Sequence, residues 1–349
     1  MTIYIYNIIV VILSGILLLH MYKSKLTKKI YFSTLTIQMT LIAGLRSYNV
    51  GWDTRSYVWF FSRAVNYDLR FILTNDVELE KGYVLLEYFT SKISTNPTVL
   101  FTIIALFYSI SVGRFIYKNS KNPILSYVIF ISMGFYTFSM TALRQTIAIG
   151  IILFSFEFIK KRKFIPFLLL VLLASTFHYS ALVFLPFYFI GYKKFTRPYV
   201  LLTLSTIPLV FVFRDQLFSI LNQISGYGYS DLEKEGPTTL FMLLILVFIG
   251  GIIQRKSILN KEKDNTLYFN STYMSIILAT MAFIHPATLR VGYYYMLFLV
   301  LFIPEIIHSL SDKRIKAFAY IAVILALLFL YIRNLNPSSP FVPYEFFWQ

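Results

Sequence analysis

Long apolar runs broken by short charged stretches fill the chain, and their lengths suit helices crossing a hydrocarbon layer about 30 Å thick. Such runs fall near residues 3–20, 30–46, 97–117, 123–141, 143–159, 164–177, 179–192, 198–213, 237–253, 266–284, 288–307 and 316–332. The pattern predicts an all-α, polytopic integral membrane protein of about twelve transmembrane helices, organised as one domain over 1–349. Pro97, Pro123, Pro198 and Pro237 each stand at the start of a run, where the missing N–H is harmless because the first turn has no intrahelical acceptor for it. Residues 3–20 have neither a basic leader nor a small-residue cleavage site, so they read as a first span rather than a signal peptide. The runs between 143 and 192 are the shortest and the most closely spaced.

Two polar stretches interrupt the series. Residues 47–96 form a long loop, and within it Gly82-Tyr83-Val84-Leu85-Leu86-Glu87-Tyr88-Phe89 is amphipathic and broken by Glu87 and Lys92. A thirteenth span over 82–94 would invert everything after it, so the segment is read as an interfacial or re-entrant helix. Residues 214–236 carry Gly226, Gly228, Asp231, Glu233, Lys234 and Glu235, a composition suited to a mobile lid over a site.

Charge sets the orientation. The chain is 57% hydrophobic, 19% aromatic and 14% charged, with a net charge of +16. In a soluble chain that excess would suggest nucleic acid. Here 21 of the 32 basic residues sit in six clusters in alternate connections, at 23–29, 114–121, 160–163, 193–197, 255–263 and 313–316. That side is cytoplasmic by the positive-inside rule, and a nucleic-acid role is excluded. Zero cysteine excludes disulfides, thiol chemistry and thiolate metal sites. No metal and no cofactor is expected.

With this orientation, polar residues that are costly in lipid collect at the outer ends of spans. Arg46 closes the second span, Arg144 and Gln145 interrupt the stretch from Pro123 to Phe158, His178 follows Ser175-Thr176-Phe177, and His285, Arg290 and Tyr293 interrupt the stretch from 267 to 303. Asp53, Tyr57, Glu80 and Tyr83 lie in the outer loop. Arginines without an equal number of neighbouring acids suit an anionic ligand, because guanidinium pairs bidentately with phosphate oxygens. A lipid-linked pyrophosphate is an anion already held at the membrane surface. Asp53, Glu80 and His178 supply proton acceptors, and imidazole titrates near neutrality. Each residue also has a plainer role open to it. Arg46 and Arg290 suit snorkelling to lipid phosphate, His178 and His285 suit helix ends, Asp53 suits an N-cap, and most Tyr and Phe residues suit interfacial packing.

The order Gly44-Leu45-Arg46, Gly51-Trp52-Asp53-Thr54-Arg55-Ser56-Tyr57, Glu80-Lys81-Gly82-Tyr83, Leu143-Arg144-Gln145-Thr146-Ile147-Ala148, Phe177-His178-Tyr179-Ser180-Ala181 and Arg290-Val291-Gly292-Tyr293 resembles the EpsG/Wzy-type polysaccharide polymerases, over roughly residues 40 to 305. The resemblance implies a helical GT-C-like fold in the bacterial inner membrane with a periplasmic-side active site. It implies an enzyme that joins undecaprenyl-pyrophosphate-linked oligosaccharide repeats into O antigen, capsule or exopolysaccharide. The partners it implies are that lipid-linked oligosaccharide, membrane lipid, a flippase and a chain-length regulator. Trp52 stands where a smaller or polar residue often precedes the aspartate, and the Arg-rich loop repeats of some other polymerases have no counterpart here.

The expected chemistry is metal-independent glycosyl transfer. Arg144, Arg290 and Arg46 hold the donor pyrophosphate, and His178 is the first choice of general base, with Asp53 and Glu80 as alternatives that otherwise position sugar hydroxyls. Tyr57, Tyr83, Gln145, His285 and Tyr293 are candidate sugar contacts. The competing readings are an O-antigen ligase, which shares the donor, and a lipid-linked oligosaccharide flippase, whose charges would line a central cavity.

Overall fold

Asparagine followed by proline starts two of the longest runs. Asn96 accepts from the Thr98 amide at 2.9 Å and Asn122 from the Leu125 amide at 3.1 Å, which satisfies amides that the first turn leaves without partners. A computed structural model describes residues 1–194, 196–225, 238–283, 287–336 and 338–349. Every regular element among them is a helix, and one isolated antiparallel bridge joins Arg46 to Phe346. The chain divides into two compact units, Met1–Leu182 with Ala317–Gln349, and Val183–Lys316.

The first unit contains α1 (Thr2–Gly15), which continues as a wide π-helical turn over Ile16–Met21, then α2 (Lys25–Gly44), α3 (Thr54–Ala64), α4 (Leu69–Thr74), α5 (Lys81–Ser91) and α6 (Pro97–Asn119). After these come α7 (Pro123–Ser132), α8 (Phe135–Thr141), α9 (Leu143–Lys160) and α10 (Phe164–Ser175). Helix α6 packs between α2 and α9, and its neighbours bury Leu100, Phe101, Ile104 and Tyr108. The loop 47–96 is itself folded, with α3 and α4 both packed on α5. The C-terminal tail returns to the end of α2. The Ser47 amide donates to the Glu345 carbonyl at 2.8 Å, the Phe347 amide to that of Leu45 at 2.9 Å, and the Gly51 amide to that of Pro340 at 2.9 Å. These bonds pair backbone that a connecting loop would otherwise leave to solvent.

The second unit contains α11 (Phe187–Ile190), α12 (Arg197–Val212), α13 (Arg214–Ser225), α14 (Thr238–Ile253), α15 (Arg255–Lys261), α16 (Thr266–Met281), α17 (Ala287–Met296) and α18 (Leu299–Ser309). Its core is α16, against which α12, α14 and α17 pack. That helix buries Asn270, Ser271, Thr272 and Ser275 completely. Asn270 is fully used, donating to the Gly191 and Lys193 carbonyls at 2.8 and 3.1 Å and accepting from the Tyr199 hydroxyl at 2.9 Å. The last helix, α19 (Lys313–Asn334), begins in the second unit and ends in the first.

Helices occupy each of the twelve apolar runs, but helix length and apolarity do not reach twelve spans. Three helical stretches among the described residues, Thr2–Met21, Pro97–Asn119 and Lys313–Asn334, are long and apolar enough to cross a membrane. The number is six if each bent pair is one span: Pro123–Ser132 with Phe135–Thr141 (47°), Thr238–Ile253 with Arg255–Lys261 (72°), and Thr288–Met296 with Leu299–Ser309 (47°). The break between α7 and α8 falls at Gly134, whose φ of 81° is left-handed. The largest departure lies at 164–192. Helix α10 has 12 residues, about 18 Å at 1.5 Å per residue, and Tyr179–Phe184 is a 3-10 helix. Neither crosses a layer about 30 Å thick alone. The segment 82–94 is mostly the 11-residue α5, again too short to span. Of the proposed lid, 214–225 is α13, and 226–236 lies outside the described residues.

Candidate functional site

Helix α5 starts at Lys81 with Glu80 in the N-cap position. Its first turn lies against the chain leaving α10, because residue 82 has no side chain. A Cβ on Gly82 would stand 2.5 Å from Thr176 Oγ1 and 2.7 Å from the Thr176 carbonyl oxygen, and the Gly82 amide donates to that carbonyl at 2.9 Å. This close approach brings Glu80 to His178, 98 residues later in the chain.

The Glu80 carboxylate bridges two basic side chains. One oxygen, Oε1, accepts from His178 Nδ1 at 2.9 Å and from the Tyr179 amide at 3.3 Å, while Oε2 pairs with Nη1 of Arg144. The Glu80 side chain is 2% exposed, against 18% for His178 and 21% for Arg144. The carboxylate therefore lies beneath, and the imidazole and guanidinium face outward over it. Burial pushes the Glu80 carboxyl up, but the His178 hydrogen bond and the charges of Arg144 and His178 outweigh burial and hold it at about 2. An ionised carboxylate only accepts, so His178 carries its proton on Nδ1. When the ring is uncharged, this tautomer keeps the Nε2 lone pair for another group.

Arg144 occupies the first turn of α9, where the helix dipole disfavours a cation. Glu80 offsets that penalty. Tyr57, on α3, lies within reach of the guanidinium, and the Tyr57 and Tyr83 rings stand 5.7 Å apart. Arg144 Nε is buried without a hydrogen-bond partner, which leaves donor capacity at this position.

The structure brings together Glu80, Arg144, His178, Tyr57 and Tyr83, with Asp53 close enough to Tyr57 to act on it electrostatically. Asp53 stands at the N-cap of α3 without a side-chain cap bond, so capping is not its role here. Tyr83 is fully buried, Tyr57 is 6% exposed and Gln145 is 2% exposed, so none of the three offers its face to a sugar in this conformation. Arg46 is placed differently from the expectation for a ligand-binding cation. It is 1% exposed, and its donors go to backbone: Nε to the Val50 carbonyl at 3.3 Å, Nη2 to that of Met140 at 2.8 Å, and Nη1 to that of Ala43. Its guanidinium also lies 4.6 Å from the Phe101 ring centroid. Arg46 thus clamps the end of α2 to the end of α8. Gly51, at φ 101° and with the Met140 carbonyl oxygen 2.7 Å from where a Cβ would be, allows that approach.

Arg290 and Tyr293 lie one turn apart on α17 in the second unit, close enough for the guanidinium charge to act on the phenol. His285 lies outside the described residues. Among the described residues no three His, Asp or Glu side chains converge as a metal site.

One acidic residue of this region was not among the sequence candidates. Glu87 is 1% exposed and sits two turns along α5 from Glu80, on the same buried face as Tyr83 and Val84. The spacing of seven was the available signal, because it stacks two residues on one helix face.

No protein of curated function and no solved structure matches the chain. The family model described as "EpsG family" matches residues 29–346, a stretch that includes every site residue named above. The chain belongs to the EpsG family, which makes it a membrane-embedded protein of polysaccharide polymerisation.

Proposed function

We propose that the protein is an oligosaccharide repeat-unit polymerase that works at the outer face of the bacterial inner membrane. It transfers the glycan of one undecaprenyl-pyrophosphate-linked repeat to the non-reducing end of another. The single observation that carries this reading is the Glu80 carboxylate joining His178 to Arg144, with the two basic groups outward of it. That arrangement supplies a proton acceptor and an anion ligand side by side, and glycosyl transfer from a diphosphate needs both.

In the proposed reaction, Glu80 holds His178 in the tautomer whose Nε2 is a base. Nε2 takes the proton of the acceptor sugar hydroxyl. The hydroxyl oxygen then bonds to the anomeric carbon as the bond from that carbon to the diphosphate oxygen breaks, with its electron pair leaving on undecaprenyl pyrophosphate. Arg144 holds the growing diphosphate charge. The imidazolium is stabilised by Glu80 and returns its proton to solvent. Asp53 positions acceptor hydroxyls beside Tyr57. The twelve-helix, GT-C-like topology, with basic clusters inside and this site outside, belongs to the same proposal, as do contacts with a flippase and a chain-length regulator.

Complementation of a polymerase-null strain tests the reading. Arg144→Ala and His178→Ala, at protein levels equal to wild type, leave single repeats exposed on the outer face instead of long chains. Normal chains in both variants discard the assignment, repeats trapped inside indicate a flippase, and long lipid-linked polymer indicates a ligase.

A further inference from the structure

Residues 340–347 are bonded along the segment that leads into the site, and nothing in the proposed reaction uses them. All the groups involved lie in the first unit. The Pro340 carbonyl accepts from the Gly51 amide, that of Glu345 from the Ser47 amide, and the Phe347 amide donates to Leu45. The tail therefore runs antiparallel to 45–51, with Phe346 bridged to Arg46. The Tyr344 hydroxyl adds a bond to the Ile42 carbonyl at 2.7 Å, and its ring meets Tyr4 edge-on with centroids 5.6 Å apart.

From the held segment two routes lead into α3. The Val50 carbonyl accepts from the buried Thr54 hydroxyl at 2.7 Å, and Thr54 is the first residue of α3. On the surface, Asn49 Nδ2 donates to Glu345 Oε2 at 3.4 Å, and Asn49 Oδ1 accepts from Arg55 Nη2 at 2.7 Å. Asp53 lies between these anchors, so they set its backbone position. Tyr57 follows one turn later, its amide donating to the Asp53 carbonyl at 3.1 Å. Glu80 reaches Arg144 and His178 by a separate route, through the contact of α5 with Thr176.

We propose that the C-terminal tail is a positioning strap for the acceptor side of the site: bonded along 42–51, it fixes where α3 begins and thereby where Asp53 meets the acceptor sugar. The inference rests on the reading of Asp53 as the residue that positions acceptor hydroxyls. Orientation is costly to lose, since a misplacement of about 1 Å lowers a reaction on the order of a hundredfold.

Phe347 allows a test that leaves the tail in place. It is the second residue of a four-residue turn closed by the Gln349 amide on the Phe346 carbonyl at 3.1 Å, a position that accepts proline. Phe347→Pro removes the ring and the N–H that reaches Leu45, and Phe347→Ala removes the ring alone. Each purified full-length protein, in liposomes with the lipid-linked repeat as donor, is assayed for transfer to a labelled repeat oligosaccharide freed of its lipid. Binding of farnesyl pyrophosphate is measured beside it. Phe347→Pro is expected to raise the KM for the lipid-free oligosaccharide about fivefold, the net worth of one hydrogen bond, with Phe347→Ala within about twofold of wild type. Farnesyl pyrophosphate affinity is expected to stay at the wild-type value in both. Equal KM values in the two variants overturn the proposal. So does a fall in farnesyl pyrophosphate affinity that parallels the rise in KM, which marks general loosening instead of positioning. Asp53→Asn separates the two levels of inference. A wild-type KM in that variant overturns the acceptor reading of Asp53, whereas a raised KM there beside an unmoved Phe347→Pro overturns the strap alone. Should Phe347→Pro fail to fold, Tyr344→Phe replaces it, because it removes the bond to Ile42 and keeps the ring; a raised KM supports the strap and a wild-type KM overturns it.

Discussion

Replacing Glu80 by glutamine removes one charge and almost no volume, so its consequences can be worked from the contacts. Glu80 accepts from Arg144, His178 and the Tyr179 amide through two oxygens. Glutamine has one acceptor oxygen and one NH2. If the NH2 faces Arg144, two donors oppose each other and the guanidinium loses its counter-charge. If it faces His178, Nδ1 must become the acceptor, and the proton moves to Nε2, the atom required as base. Breaking a buried pair from one side destabilises by ~3–5 kcal/mol, and the 21% exposure of the Arg144 side chain puts this case at the low end, about 3 kcal/mol. The loss of tautomer control lowers turnover by ~10³ to 10⁴, as removal of the carboxylate does in other acid–histidine pairs. Thermal unfolding in detergent measures the first effect, and chain-length analysis of lipid-linked glycan in a complemented null strain measures the second. Wild-type melting together with wild-type chains would refute the bridging role of Glu80.

Three further outcomes follow from the packing. Gly82→Ala places a methyl 2.5 Å from Thr176 Oγ1, parting α5 from the turn that carries His178, so polymer length falls sharply; normal length would show that this approach is not needed. Arg46→Met strips three carbonyls of their guanidinium partner and lowers stability by about 3 kcal/mol in a melting assay; an unchanged melt with shortened chains would return Arg46 to substrate binding. The Glu87 carboxyl has its folded pKa raised from 4.5 to about 8, so the stability tied to its neutral form is complete below about pH 4.5 and is lost as pH rises to about 8. Wild-type melting temperature should therefore fall relative to Glu87→Gln across that window, and parallel curves would contradict it.

Much of the helical layout was legible because its signals are local. Asn96-Pro97 and Asn122-Pro123 are caps written in adjacent residues, and apolar run length marks α6 and α19 directly. Bends were not legible. Gly134 does not announce from sequence that α7 and α8 part by 47°, and the runs 164–177 and 179–192 conceal three short helical pieces, α10, the 3-10 helix Tyr179–Phe184 and α11. At the site, the residue types were visible and their pairing was not. Glu80 and His178 meet because α5 rests on Thr176, a contact between segments nearly a hundred residues apart that leaves no local pattern. Arg46 and Arg144 look alike in sequence, each an arginine at the outer end of an apolar run. Only the backbone carbonyls around the first and the carboxylate beside the second distinguish a clamp from a site. Glu87 looked like a charge that breaks an amphipathic segment, and burial turned it inward. The tail that holds Leu45–Gly51 through Pro340, Glu345 and Phe347 depends on backbone pairing, which side-chain patterns do not encode.

The most direct test of the central claim is reconstitution of the purified protein in liposomes with an undecaprenyl-pyrophosphate-linked repeat unit, following released undecaprenyl pyrophosphate and glycan length together. The account predicts that wild type releases one lipid pyrophosphate for each repeat added, and that His178→Ala and Arg144→Ala, folded and equally incorporated, release almost none. Chain growth by either variant at the wild-type rate would contradict it.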